Sequence, residues 1–110
     1  MAYRIVADIG GTKVAAALTD KNMSFLTRKQ VSSDPTDAEA MFNCLVNCFA
    51  ELLDSHKVSY EEIESISLGV PGKVDSENGV AVYQNNLPWR DFPLSSRLRT
   101  IFFKSKGFDG

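Results

Sequence analysis

The chain has 110 residues, which is enough for one domain and too few for two full ones. Hydrophobic residues make up 44% and charged residues 24%, a globular balance that excludes a disordered or fibrous chain. The formal net charge is -2 and no Lys/Arg block occurs, so the sequence advertises neither nucleic acid nor an anionic membrane as a partner.

The opening residues do not read as a secretory leader. Such a leader needs about 7–15 apolar residues after a basic start, and here Asp8, Gly10 and Gly11 interrupt the run. No stretch approaches the roughly 20 apolar residues that span a bilayer. Two cysteines, Cys44 and Cys48, make no disulfide framework. A cytoplasmic protein is the expectation.

Residues 4–9 read as a short buried strand, and Gly10-Gly11 as the turn that ends it. Residues 13–19 read as a second strand, whose alanines suit a crowded sheet. After Asp20-Lys21-Asn22 a third strand is predicted over 24–32, with one wet face. Asp34-Pro35-Thr36 is a helix start signal, and Thr36 with Glu39 spells a capping box. Ala38, Met41, Leu45, Cys48 and Leu52 repeat at helical spacing, and Phe42, Val46, Phe49 and Leu53 widen that apolar face. Both cysteines therefore read as core thiols rather than ligands. His56, at the end of this helix, reads as a complement to the helix dipole.

Ser59 and Glu62 spell a second capping box, so a short helical turn is predicted near 60–64, followed by a strand over 65–70. Asn78-Gly79 reads as a tight hairpin turn between 73–75 and 80–83. Trp89 reads as a seal for the core, and Leu94–Leu98 as the start of a helix with Ser95 near its cap. Strands and helix in this order give an α/β layout with a sheet covered on at least one face.

Two segments carry chemistry. Asp8-Ile9-Gly10-Gly11-Thr12-Lys13 joins two strands, so it is neither a Walker A loop nor a dinucleotide fingerprint, both of which open a helix. Glycines allow close approach to the backbone, the amides and the Thr12 hydroxyl make an anion-binding concavity, Asp8 is placed to hold Mg2+, and Lys13 adds cationic charge. On residue chemistry alone, a plain hairpin turn whose Asp and Thr bond only backbone explains the segment equally well. The second segment is Leu68-Gly69-Val70-Pro71-Gly72-Lys73-Val74-Asp75, then Asn78-Gly79-Val80, then Asn86-Leu87-Pro88-Trp89. By themselves Pro71-Gly72 and Asn85-Asn86 read as a strand-ending turn and backbone caps.

Together the two segments resemble a known family. Asp8–Lys13 resembles the phosphate-binding hairpin of the actin/hexokinase-like ATPases, and the D-x-G-G-T-K form resembles the ROK family of sugar kinases and sugar-responsive repressors. The second segment is similar to that family's G-x-P-G-x-V-D … G … N-L-x-W stretch in order and spacing, and the resemblance runs from residue 3 to about 98. It implies a ribonuclease H-like α/β lobe with a mixed sheet, incomplete here, of which residues 1–98 form the kinase-like lobe and 99–110 a divergent tail. It implies ATP and Mg2+ as cofactors, with Asp8, Gly10, Gly11, Thr12 and Lys13 on the nucleotide side and Asp8 near the metal. It implies a small-molecule sugar as partner, with Gly72, Lys73, Asn85 and Asn86 on the sugar side and Gly72 letting the backbone approach the ring. Intact members are often homodimers.

The chain also departs from that pattern. Family members are nearly three times longer and carry an Asn-Asp pair whose aspartate is the general base. Asp109 stands near that position without a preceding Asn, so no catalytic residue is assigned. The expected function is the N-terminal part of an ATP-dependent kinase for a hexose or N-acylhexosamine, inactive alone. The alternatives are a sugar-sensing module of a repressor without its DNA-binding head, and a gene remnant. An unpaired sheet edge and the apolar Ile101-Phe102-Phe103 predict self-association. The phosphate hairpin itself is predicted to carry a glycine at positive φ, with Asp8 and the Gly11 and Thr12 amides at an open rim.

Overall fold

The computed structural model describes residues 2–102. Three strands run antiparallel in succession, β1 (Tyr3–Ile9), β2 (Lys13–Asp20) and β3 (Phe25–Ser32). The helix α1 (Ala38–Ser55) crosses back over them and leads, through a 3-10 turn at Tyr60–Glu62, into β4 (Ile63–Gly69). β4 lies parallel to β1, so the mixed sheet has the order β3-β2-β1-β4. A hairpin of β5 (Lys73–Asp75) and β6 (Val80–Tyr83) follows, and a second helix, α2 (Leu94–Phe102), comes after it.

Strand register sorts the residues by face. Ile5, Ala7 and Ile9 on β1 lie opposite Leu18, Ala16 and Val14 on β2, and all six are buried beneath α1. The helix answers with Met41, Phe42, Leu45, Cys48, Phe49, Leu52 and Leu53, the apolar face expected from the spacing. Burial at this density raises the Cys48 thiol to about 11, which keeps it protonated and inert at neutral pH. Cys44 is half-buried and donates its S–H to the Ser32 carbonyl at 3.3 Å.

Helix α1 begins and ends by local chemistry that differs in part from expectation. Asp37, not Thr36, is the N-cap, and its carboxylate accepts from the Ala40 amide at 2.8 Å. The Thr36–Glu39 capping box does not form: Thr36 donates to Asp34, and Glu39 is drawn away into a two-point ion pair with Arg97 of α2. At the other end Lys57 takes φ 53, the Val58 amide donates to Leu53 and the Lys57 amide to Asp54, the Schellman closure with lysine where glycine is usual. His56 is the C-cap, and its ring meets Tyr3 edge-on at 6.3 Å. The Ser59–Glu62 box forms as expected.

Three further differences concern the second half. The β5–β6 connection is a four-residue turn, Ser76–Gly79, rather than a two-residue Asn-Gly turn, because Asp75 pairs with Val80 and its carboxylate accepts from the Asn78 amide and side chain. Ser95 lies inside the first turn of α2, where its amide donates to the Gly79 carbonyl instead of a cap forming from its side chain. Ile101 and Phe102 end α2 and are not strand; Phe102 is fully buried against Phe49 and Tyr60. Phe103 and Asp109 lie outside the described residues.

Trp89 seals the core as expected. It is fully buried, stacks on Phe92 at 5.5 Å and donates its indole N–H to the Ala38 carbonyl at 3.1 Å, tying the segment after β6 to the start of α1. Arg97 lies over the Phe42 and Phe92 rings at 4.5 and 5.3 Å and closes the same corner.

Candidate functional site

β1 and β4 are parallel, with Asp8 beside Gly69, so both strands deliver their following turns to the same end of the sheet. One is Gly10–Thr12 and the other is Pro71-Gly72. Open α/β sheets take their ligands in the crevice at the carboxyl ends of their strands, and both glycine turns lie at that end.

On the phosphate side, Gly10 donates to the Lys13 carbonyl at 2.9 Å, Ser33 donates its hydroxyl to the Gly10 carbonyl at 2.6 Å, and the Ser33 amide donates to Thr12 at 2.9 Å. These bonds fix the turn through the Gly10 amide and the Gly10 and Thr12 carbonyls. The Gly11 and Thr12 amides have no partner among the described residues. Thr12 is exposed and Gly11 half-exposed, so both donors are free to meet an acceptor from solvent. Asp8 is exposed on the sheet face opposite α1, in a shallow trough of about 520 Å3 that Ala15, Ala17, Arg28 and Gly69 also line. Lys13 is exposed and lies two residues before Ala15, the partner of Asp8, so both charges emerge on one face.

Neither Gly10 nor Gly11 has a positive φ, which corrects the expectation for this turn. The left-handed glycines are Gly72, at φ 83, and Gly79, at φ 68. Gly11 is required for a different reason, space: a Cβ built on it would sit 2.5 Å from Asn86 Cβ and 3.1 Å from the Asn86 carbonyl oxygen.

On the sugar side, Asn85 and Asn86 are exposed in the bend that follows β6, and Lys73 is exposed at the first position of β5, opposite Tyr83. The space that Gly72 leaves is filled from within the chain, by the Tyr83 carbonyl and Gln84 Cα. The bare backbone of Gly72 is thus spent on packing. The phosphate-side turn touches Asn86 and the sugar-side turn touches Tyr83 and Gln84, so both turns meet the segment 83–86.

Gln84 had no signal in the sequence. Its side chain is 1% exposed, and neither its amide nitrogen nor its oxygen has a hydrogen-bond partner. An orphaned buried amide of this kind costs about 1–3 kcal/mol. A glutamine between Tyr83 and Asn85 gives no hint of burial, because only the docking of the segment buries it. The more enclosed groove of the molecule, about 450 Å3 between β4, the hairpin and α2, is lined by Ile66, Leu68, Val74, Leu94 and Leu98 and contains none of the site residues.

The cofactors fit this rim on chemical grounds. Two free amides beside a lysine suit a polyphosphate. Asp8 is a single exposed carboxylate, and Mg2+ is commonly held by one or two carboxylates together with substrate phosphates and water. No cluster of three His, Cys, Asp or Glu groups suited to a metal occurs among the described residues, so a closed all-protein metal cage is not what this rim offers. No helix among them is long and apolar enough to cross a membrane.

The mixed sheet, its covering helix and the glycine hairpin make an α/β lobe of the kind found in ROK sugar kinases. The family model for the ROK family matches residues 4–105, and the chain belongs to that family. It is 31% identical over 98 residues to the glucokinase of Streptomyces coelicolor, covering 89% of this chain and 29% of that protein. A ROK family glucokinase from Streptomyces griseus, solved in complex with glucose and AMPPNP, superposes with a TM-score of 0.74 at 28% identity, over 89% of this chain and 30% of that one. A ROK family transcriptional regulator, a homologue of the E. coli MLC protein, superposes with a TM-score of 0.79 at 16% identity over 90% and 25%, a likeness of fold alone. The chain spans under a third of the length of these relatives.

Proposed function

We propose that these residues form the N-terminal, ligand-lining part of an ATP-dependent sugar kinase acting on a hexose or N-acylhexosamine. The observation that carries the reading is the pair of unpartnered Gly11 and Thr12 amides at a rim shared with Asp8 and Asn85-Asn86. The two loop residues of a plain structural hairpin also leave their amides facing outward, and here those donors stand beside Lys13 and Asn86. In this reading Gly11, Thr12 and Lys13 hold the phosphates of ATP, Asp8 orders Mg2+, and Lys73, Asn85 and Asn86 hydrogen-bond the sugar. The bound nucleotide supplies the phosphoryl group, and this chain's part is to bind and orient it.

The reading includes the expectation that the 110 residues alone do not turn over. Phosphoryl transfer rests on positioning and charge stabilisation across a closed cleft, and no general base is assigned in this part. A coupled assay with Mg-ATP and a panel of hexoses and N-acetylhexosamines is expected to stay at background; turnover abolished by Asp8→Ala would overturn that expectation. Binding tests the site itself. In amide-resolved NMR, Mg-ATP is expected to move the Gly11 and Thr12 resonances, and Asp8→Ala to weaken the effect about 5–10-fold. A titration that leaves both amides in place would sink the nucleotide reading.

The fold of the regulator keeps a sugar-sensing module as the second reading, since that protein shares the lobe. A sensor has no need of open phosphate donors, so sugar-induced shifts at Asn85 and Asn86 without any ATP response would favour it. Self-association belongs to the same proposal. β4 is an edge strand with an apolar groove beside it, and unpaired edges recruit further strands. Size-exclusion chromatography at tens of micromolar, a range where such surfaces aggregate, is expected to show species above monomer, and a clean monomer would contradict it.

A further inference from the structure

The two turns at the rim were expected to serve two different ligands, but their glycines meet one short segment of the chain. Gly11 lies against Asn86, and Gly72 lies against Tyr83 and Gln84. Residues 83–86 are therefore held between two backbones that lack side chains. Tyr83 is also held by its ladder pairing with Lys73, but among the described residues no hydrogen bond is made by the Gln84 amide group, and none joins Gly11 to Asn86. The seat is steric, and it depends on the missing Cβ atoms.

We infer that Gly11 is a positioning residue for the sugar segment, joining the phosphate hairpin and Asn85-Asn86 into one mechanical unit. The inference rests on the functional reading above for the meaning of the two sides, but the contact stands on geometry. An added methyl group at position 11 meets Asn86 at its Cβ and its carbonyl, the near and rigid parts of that residue rather than a flexible tip. Cβ atoms essentially never approach to 2.5 Å, so the contact must open by about 1 Å, and where Asn86 gives way the hydrogen-bonding groups of Asn85 and Asn86 move with it. Displacements of that size at a binding group are enough to cost affinity steeply. The converse also holds: whatever holds Gly11 in place holds Asn86 in place, and coupling between two binding sides is reciprocal.

The seat predicts a specific rescue. Asn86→Gly removes the Cβ that an alanine at position 11 would strike. In the 110-residue chain, Gly11→Ala is expected to lower the Tm by about 5–10 °C and to shift the amide resonances of Asn85 and Asn86 as strongly as those of Gly10 and Thr12. In the double variant Gly11→Ala/Asn86→Gly, at least half of the Tm loss is expected to return, measured against Asn86→Gly alone. Additive losses in this double-mutant cycle, or shifts confined to residues 9–13, overturn the inference. If Gly11→Ala does not fold, recovery of a folded spectrum in the double variant supports the seat, and failure of both to fold, with Asn86→Gly folded, overturns it.

A glucose titration without nucleotide separates this from a purely structural role. Gly11→Ala is expected to weaken glucose-induced shifts at Asn85 and Asn86 at least fivefold, although position 11 was assigned to the phosphate side; unchanged glucose shifts overturn its positioning role. Should the wild-type chain respond to neither glucose nor Mg-ATP, the functional reading fails, and the cycle alone then decides whether the seat exists.

Discussion

Two glycine turns join antiparallel strands in this molecule, and they are built on opposite plans. The turn at Ser76–Gly79 is tied from within and from a helix: the Asp75 carboxylate accepts from the Asn78 amide and side chain, Gly79 takes the left-handed conformation, and its carbonyl receives the Ser95 amide from α2. The turn at Gly10–Thr12 is held by the Gly10 amide, which donates to Lys13, and by Ser33 on the Gly10 and Thr12 carbonyls, and it leaves two amides open to solvent. Amides that face solvent are satisfied by water without cost to the fold, and they stay available to an acceptor that displaces it.

The largest effect expected from this contrast is on stability. Gly79→Ala places a Cβ against the Ser95 side chain at a φ that L residues rarely adopt, so it should cost about 2–4 kcal/mol and lower the Tm by 10 °C or more. Gly10→Ala meets only the Lys13 carbonyl at 3.2 Å and has no positive φ, so its cost should stay under about 1 kcal/mol. Thermal melts of the two variants side by side check this, and equal losses would erase the distinction between the turns.

Hydrogen exchange gives an intermediate effect. The Ser95 amide, bonded to Gly79 at 3.0 Å, should exchange about tenfold or more slowly than the Gly11 and Thr12 amides. Protection of Gly11 or Thr12 at the level of Ser95 would mean that the rim turn is closed after all.

The smallest effect concerns acid. Hydrogen bonds from the Asn78 side chain and amide hold the Asp75 carboxyl below its ordinary value, and Arg97 does the same for Glu39. A depressed carboxyl stabilises the fold above its unfolded pKa, and that contribution fades as pH falls through the folded one. Both groups are exposed, so the loss is modest. The Tm should be flat from pH 7 to about 5 and fall below about pH 4, near and beneath the ordinary carboxylate range. Asp75→Asn should flatten that fall; a steeper fall in the variant would contradict the assignment.

Much of this was legible in the sequence. Short apolar runs between turn residues marked the first two strands, loose alternation the third, period 3.6 the buried face of α1, and Ser59-Glu62 a cap, because each signal lies within a few residues of what it specifies. The ROK resemblance was likewise local, since its motifs occupy contiguous turns. Expectations failed where a distant residue competed. Glu39 had the spacing of a capping box, but Arg97, 58 residues later, offered it an ion pair, and Asp37 took the cap. Positive φ was expected at Gly10-Gly11, since paired glycines in a short turn usually serve backbone freedom. Gly11 serves space instead, and the group that needs the space, Asn86, is far along the chain.

The same division holds for the candidate site as a whole. The sequence alone determined which residues were available: Asp8 and Lys13 flanking a glycine turn, and Lys73, Asn85 and Asn86 after a Pro-Gly break. Only the tertiary structure decided that the two glycine turns meet at one end of the sheet. That outcome depends on β4 lying parallel to β1, which brings the two turns to the same end of the sheet, and on two missing Cβ atoms that let residues 83–86 settle between them. Parallel pairing and close backbone contact are long-range properties of packing. They are fixed by what the whole chain buries, and no window of neighbouring residues records them.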